Sequence, residues 1–174
     1  MGGVWDNRKA VVFGCALSEK WVNDEIAEIK TTHLYRMRMK YTRGWSVELD
    51  SPGKSESQHF FLGEGRCDGR IAGNFHAANH PLRRTDGTFL PDVQGVIETN
   101  DGATIYFDHR GYGRAYPEGR RQVLARGTHI SSDNRYSWLN DSIAVAVGEV
   151  RSLESGGVEI VLDWFEVLGS AIPD

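Results

Sequence analysis

Turn-forming residues recur along this chain at short, even intervals, and few folds other than a set of short paired strands accommodate such punctuation. The clusters stand at Thr42-Arg-Gly44, Asp50-Ser-Pro-Gly53, Gly63-Glu-Gly65, Asp68-Gly69, Thr85-Asp-Gly87, Asn100-Asp-Gly102, Gly111-Tyr-Gly113, Ser131-Ser-Asp-Asn134 and Ser155-Gly-Gly157. Gly supplies positive φ, Asn and Asp bond their own backbone, and Pro presets φ, so each cluster can bend or reverse the chain. The intervals 44–50, 57–62, 69–76, 93–99, 103–109, 136–148 and 157–168 have strand length, the last two long enough to bend. The pattern predicts an all-β barrel or sandwich.

Asn100-Asp-Gly102 is the strongest local signal, because all three residue types tolerate the positive φ of a tight hairpin, and strands are expected on both sides of it. Between 33 and 41 the period is two: His33, Tyr35, Met37, Met39 and Tyr41 share one face of a half-buried strand, with Arg36, Arg38 and Lys40 on the other. A helical period occurs in Ser18–Lys30, where Val22, Ile26 and Ile29 fall on one side and Ser18 is placed to cap the N-terminus. The stretch from Gly111 to Asp133, rich in Gly and Arg and poor in alternation, reads as a long loop with a helical turn around Arg120–Ala125, of the kind that lids a site.

At 174 residues the chain has the size of one domain, divided here into an extension, 1–32, and a β domain, 33–174. A net charge of -4, mixed along the chain, offers no basic stripe for nucleic acid. Cys15 and Cys67 are far apart with no CxxC, as expected of buried thiols in a reducing cytoplasm. The first residues lack the order of a signal peptide, and no apolar run approaches the ~20 residues that span a bilayer, so a soluble, cytoplasmic protein without membrane association is expected.

Several short motifs agree in order and spacing with one family. They are Gly69-Arg-Ile-Ala-Gly73, Asp92 followed by Val96-Ile-Glu-Thr-Asn-Asp-Gly-Ala-Thr-Ile-Tyr106, Arg110-Gly111, Arg135-Tyr-Ser-Trp-Leu-Asn140 and the strand Ala144 to Gly148. From about Gly69 to Val167 the chain resembles the domain of unknown function 3237, also called uncharacterised protein family 0311. The resemblance implies a single closed antiparallel β-barrel of the calycin or allene-oxide-cyclase kind, and no particular reaction. Where members commonly carry an Ala-Asp-Trp-like segment, this chain has Asn79-His-Pro81, and a Phe-Glu pair before the Arg-Tyr-x-Trp-Leu-Asn motif is here His129-Ile130. Both departures bring histidine, His80 and His129, towards the expected pocket.

An eight-stranded barrel holds side chains or one small ligand, so polar residues facing inward are the candidates for chemistry. Taking Asp92 as inward-facing puts Gln94, Val96 and Glu98 on its face, with either Tyr106 and Asp108 or Phe107 and His109 opposite. Asp92 is the leading acid or base; its plainer reading is an Asp fixing the loop before a strand. His76, near neutrality in pKa, could move a proton with Asp92 orienting it, and the plainer reading is a solvated histidine. His76-x-x-x-His80 spans strand and loop rather than a helix, so no metal is expected. Tyr136, Trp138 and Asn140 alternate on one face of an expected strand, where phenol, indole and amide can bind a carbonyl or hydroxyl, or alternatively close the barrel. Arg110, Arg114, Arg120, Arg121 and Arg126 make the expected loop basic; one could clamp a carboxylate or phosphate, although loop charge is mostly solvated.

The combined expectation is a β-barrel with an N-terminal helix that binds a small, largely apolar organic molecule. The preferred function is a cofactor-free lyase, isomerase or cyclase with Asp92, His76, Tyr136 and Asn140 catalytic and Tyr106, Trp138, His80, Arg110, Gln94 and His129 contacting ligand. The alternative is a non-catalytic carrier or sensor of a similar molecule. An exposed strand edge or the N-terminal helix offers a route to a homodimer.

Overall fold

A computed structural model describes residues 28–52, 54–116, 120–154 and 156–169. The strands are β1 (Ile29–Ser51), β2 (Lys54–Gly69), β3 (Gly73–Asn79), β4 (Leu82–Arg83), β5 (Phe89–Leu90), β6 (Asp92–Thr99), β7 (Thr104–Tyr116), β8 (Arg120–Ile130), β9 (Ala144–Ser152) and β10 (Val158–Gly169). All pair antiparallel. The pairings run in a ring, β1–β10–β9–β8–β7–β6–β3–β2, and β2 returns to β1, so the sheet closes on itself. At one end, called upper here, the short β4 and β5 bridge β2 to β7 through Ser57↔Arg83, Leu82↔Leu90 and Phe89↔Gly113.

Alternation decides what fills the ring. In β1 Tyr35, Met37 and Met39 are buried while Arg36, Arg38 and Lys40 are exposed. Bulges between His33 and Tyr35 and between Tyr41 and Arg43 break the register with the neighbouring strands, and past the second the inward set changes from odd to even positions, so that Ser46 faces the interior. Close approach requires a glycine where β3 and β6 cross: a Cβ on Gly95 would lie 2.0 Å from the His76 carbonyl oxygen and 2.7 Å from the Phe107 ring. The core joins Tyr35, Phe75, Ile97, Phe107, Leu139 and Trp164.

Four sequence expectations change. Gly111–Asp133 is not a loop: β7 and β8 form one long hairpin pairing Tyr106↔Ile130 to Tyr116↔Arg120. Its glycines at 111, 113 and 127 leave room inside rather than turn the chain, and its exposed Arg114, Arg120 and Arg126 decorate the outer face. Thr42-Arg-Gly44 and Gly63-Glu-Gly65 likewise lie within β1 and β2. Residues 136–148 are not one strand, because Ser137–Leu139 forms a 3-10 turn and β9 begins at Ala144. The expected helix falls mostly on residues 1–27, outside those described, and its last residues, Ile29 and Lys30, open β1 instead, paired with Gly169 and Leu168. Cys15 also lies outside the described residues, while Cys67 is buried and unpaired, its thiol pushed up to about 12, first by burial and then by Asp68. Among the described residues no helix is long and apolar enough to cross a membrane.

Candidate functional site

The ring encloses a cavity of about 350 Å³ reaching from the upper end down to His109 and Trp164. Its wall is mostly apolar, including Met37, Met39, Phe61, Phe75, Ile160 and Leu162, as suits a small organic ligand. Among the described residues no acidic side chain lines it.

The floor is a stack of rings. Phe75 lies on Phe107 at 4.4 Å between centroids, Phe107 on His109 at 4.3 Å, and His109 on Trp164 at 3.8 Å. Gly127 permits this, since a Cβ there would meet Cδ2 of His109 at 2.4 Å. Behind the stack, Nε2 of His129 lies 3.3 Å from Nε2 of His109 and 2.7 Å from the hydroxyl of Tyr35. Two partners thus converge on one ring nitrogen that carries either a hydrogen or a single lone pair. All three residues are buried. Burial, followed by the neighbouring His129, holds His109 well below the usual imidazole range; burial alone lowers His129 to about 4; burial and then Cys67 push the Tyr35 phenol well up. The trio is therefore uncharged near neutrality. The indole N–H of Trp164 is buried without a hydrogen-bond partner, a donor left open beside this chain.

At the upper end the polar groups are of another kind. The Tyr41 hydroxyl accepts from Asn79 Nδ2 at 2.5 Å, and Asn79 Oδ1 accepts from the Asp92 backbone N–H at 3.2 Å, joining β1, β3 and β6. His59 is held between Ser46 Oγ, 2.6 Å from Nδ1, and Ser57 Oγ, 2.8 Å from Nε2. Arg121, half-buried, lays its guanidinium over Phe89 at 3.8 Å.

The residues singled out from the sequence scatter over this frame. Asp92, Gln94 and Glu98 are on the outer face of β6, because Ile97 and Thr99 are the buried positions; the inward placement of Asp92 is corrected. Asp92 Oδ1 has no hydrogen bond and lies 3.4 Å from Nε of Arg110, which is also 3.3 Å from Asp108. Gln94 is exposed, and its Nε2 donates to Asp108 at 3.4 Å. His76 faces outward, 3.5 Å from Glu98, and Tyr106 is exposed. His80 stands edge-on to Phe60 at 4.9 Å beside an outer groove that Asp92 and Arg110 also line, although Arg110 borders the interior cavity as well.

Tyr136, Trp138 and Asn140 belong to the 3-10 segment and its flanks, not to a strand face, and none lines the cavity. The Tyr136 hydroxyl donates to Asp101 at 3.0 Å, Arg135 reaches the same carboxylate at 2.9 Å, Trp138 carries Arg70 over its ring at 4.2 Å, and Asn140 exchanges two hydrogen bonds with the backbone of Ser131. Together they brace the lower end, where Leu139 is fully buried. Asp92, His76 and Tyr136 therefore do not converge on one cavity. Of the expected ligand contacts His129 is interior, behind His109. Sequence reasoning missed Tyr35, Tyr41, Asn79, His59 and His109 as site residues. The available signal was the apolar set Ile97, Ile105 and Phe107, which marks the inner face and carries His109 with it.

A model of the family described as a protein of unknown function, DUF3237, matches residues 29–167. The chain belongs to the DUF3237 family. No curated protein matches the sequence. Solved structures similar to this DUF3237 protein include a β-barrel-like protein from Acinetobacter baumannii, at 21% identity and TM-score 0.65, covering 81% of this chain and 97% of the other. A protein of unknown function from Clostridium acetobutylicum aligns at 15% identity and TM-score 0.66, covering 81% and 100%. An enzyme from Penicillium herquei aligns at 20% identity and TM-score 0.54, covering 80% and 95%. At such identities the likeness establishes the fold of this DUF3237 protein, and its chemistry has to be argued from its own residues.

Proposed function

We propose that this DUF3237 protein is a β-barrel enzyme that binds a small, largely apolar organic molecule in its interior and acts on it by proton transfer, as a cofactor-independent isomerase, lyase or cyclase. One observation carries the proposal: an uncharged Tyr35–His129–His109 chain is built into the aromatic, apolar lower part of the interior and ends on a cavity wall. Burying polar groups costs about 1–3 kcal/mol each where their bonding is incomplete, and simple containment of an apolar molecule does not require it. His109 is the group in position to exchange a proton with a ligand, and a neutral imidazole does so without first losing one. A charge forming on His109 is relieved by hydrogen bonding to His129, whose other partner, Tyr35, orients it. The Trp164 indole N–H, beside His109, is a donor for a developing oxyanion.

The second reading is a carrier. It is favoured by the apolar wall and by the outward placement of Asp92 and His76. A thermal-shift screen of small terpenoid, phenolic and polyketide-like compounds, followed by mass spectrometry of each hit after incubation, separates the two. The expected result is a ligand that both wild type and His109→Gln bind, that wild type converts, and that His109→Gln and Tyr35→Phe convert about 10²-fold more slowly or worse. Ligands bound by all three proteins and converted by none leave the carrier.

A further inference from the structure

Arg121 introduces a charge that the apolar cavity does not balance. Two arginines border the cavity, and Arg110 has Asp92 and Asp108 within 3.4 Å. Arg121 makes no ion pair and no side-chain hydrogen bond among the described residues; its contact is the Phe89 ring beneath it. Among the described residues the cavity wall contains no Asp or Glu, in a chain whose net charge is -4. Acidic side chains are thus plentiful in the molecule, and none of the described ones stands at this place. Burial and the nearby Arg83 both lower the Arg121 pKa, the sign of a cation with neither full hydration nor, among the described residues, a counter-ion.

The surroundings add a second donor. Tyr41 is near enough for Arg121 to act on its phenol, and its oxygen already accepts from Asn79, so its hydroxyl hydrogen is free to be donated elsewhere. Below these two groups the wall turns apolar and aromatic, with Phe61, Phe75 and Phe89.

We infer that the upper end of the cavity is a carboxylate receptor, so that the molecule taken by the barrel is an amphipathic acid: its carboxylate on Arg121 and the Tyr41 hydroxyl, its apolar body pointing down towards His109. A guanidinium matches a carboxylate with two parallel donors, and such charge-assisted bonds are about twice as strong as neutral ones. The apolar body then fills the aromatic part of the cavity while the anchored head fixes which carbon lies against the floor. This inference rests on the interior being the ligand site, as proposed above, but not on any turnover there.

The test uses the full chain and four probes: 4-phenylbutanoate and octanoate, each with its primary amide as a neutral counterpart. Titration calorimetry is run on wild type, Arg121→Gln and Arg121→Lys. Wild type is expected to bind each acid at least tenfold more tightly than its amide. Arg121→Gln should erase that preference while holding the amides within about threefold of wild type, which also shows the variant to be folded, and Arg121→Lys should keep part of it. Equal affinity of wild type for acid and amide, or an acid preference that survives in Arg121→Gln, overturns the carboxylate receptor and leaves the apolar cavity standing. Failure of wild type to bind either acid overturns it as well, and the compound screen then decides separately whether the interior takes neutral ligands.

Discussion

His129 and His109 give the molecule a pH response that follows chiefly from burial. An unfolded imidazole titrates near 6.5, whereas His129 in the folded chain titrates at about 4 and His109 is also displaced well downward. Between those pH values the unfolded chain binds protons that the folded chain refuses, so stability rises with pH there and is lost as pH falls from about 6.5 towards 4. His129 alone contributes on the order of 3 kcal/mol to that loss. Urea denaturation at pH 7 and at pH 4.5 is expected to show the fall, with a shallower one in His129→Gln; an equal fall in both proteins would contradict the neutral, buried imidazole. At this scale the sequence was only half legible. The alternation of Tyr35, Met37 and Met39 with basic residues identifies the inner face of β1 without help. In β6 and β7 the same period leaves two choices, and giving priority to the charged Asp92 over the apolar Ile97 and Phe107 selects the solvent face. Burial of apolar area outweighs the chemical interest of a carboxylate when a strand picks its orientation.

Among the elements, the hairpin around Asn100-Asp-Gly102 was readable because Gly102, at φ 88°, adopts the conformation its residue type announces. The β7–β8 hairpin was not, since glycine serves there to admit His109 and Trp164 next to the backbone, and one residue type has two unrelated uses. The 3-10 segment after β8 was mistaken for a strand because Tyr136, Trp138 and Asn140 mimic alternation over five residues; two of their partners, Asp101 and Arg70, are distant in sequence, and Asn140 ties back to the nearby Ser131. That segment plugs the lower end through Leu139, which is fully buried against the core. Leu139→Ala is expected to cost about 2–5 kcal/mol in urea denaturation, as for other large-to-small core changes. A cost below about 1 kcal/mol would mean that the lower end is closed by something other than this turn.

For the whole molecule, closure of the sheet is what turns a set of hairpins into a wall around an interior cavity. Eight strands make a ring wide enough for side chains or one small ligand, and here the inward glycines and the two bulges leave part of that space open above the ring stack. The outer groove beside Asp92 and Arg110 is the competing location for a ligand. The two are told apart by filling the interior. Val123 is buried, lines the cavity and does not border the groove, so Val123→Phe adds bulk inside and leaves the outer face alone. With a ligand identified by thermal shift, the account predicts that Val123→Phe stays folded, with a melting temperature at or above that of wild type, and loses at least tenfold in affinity. A folded Val123→Phe protein that binds the ligand as tightly as wild type would contradict the interior as the site.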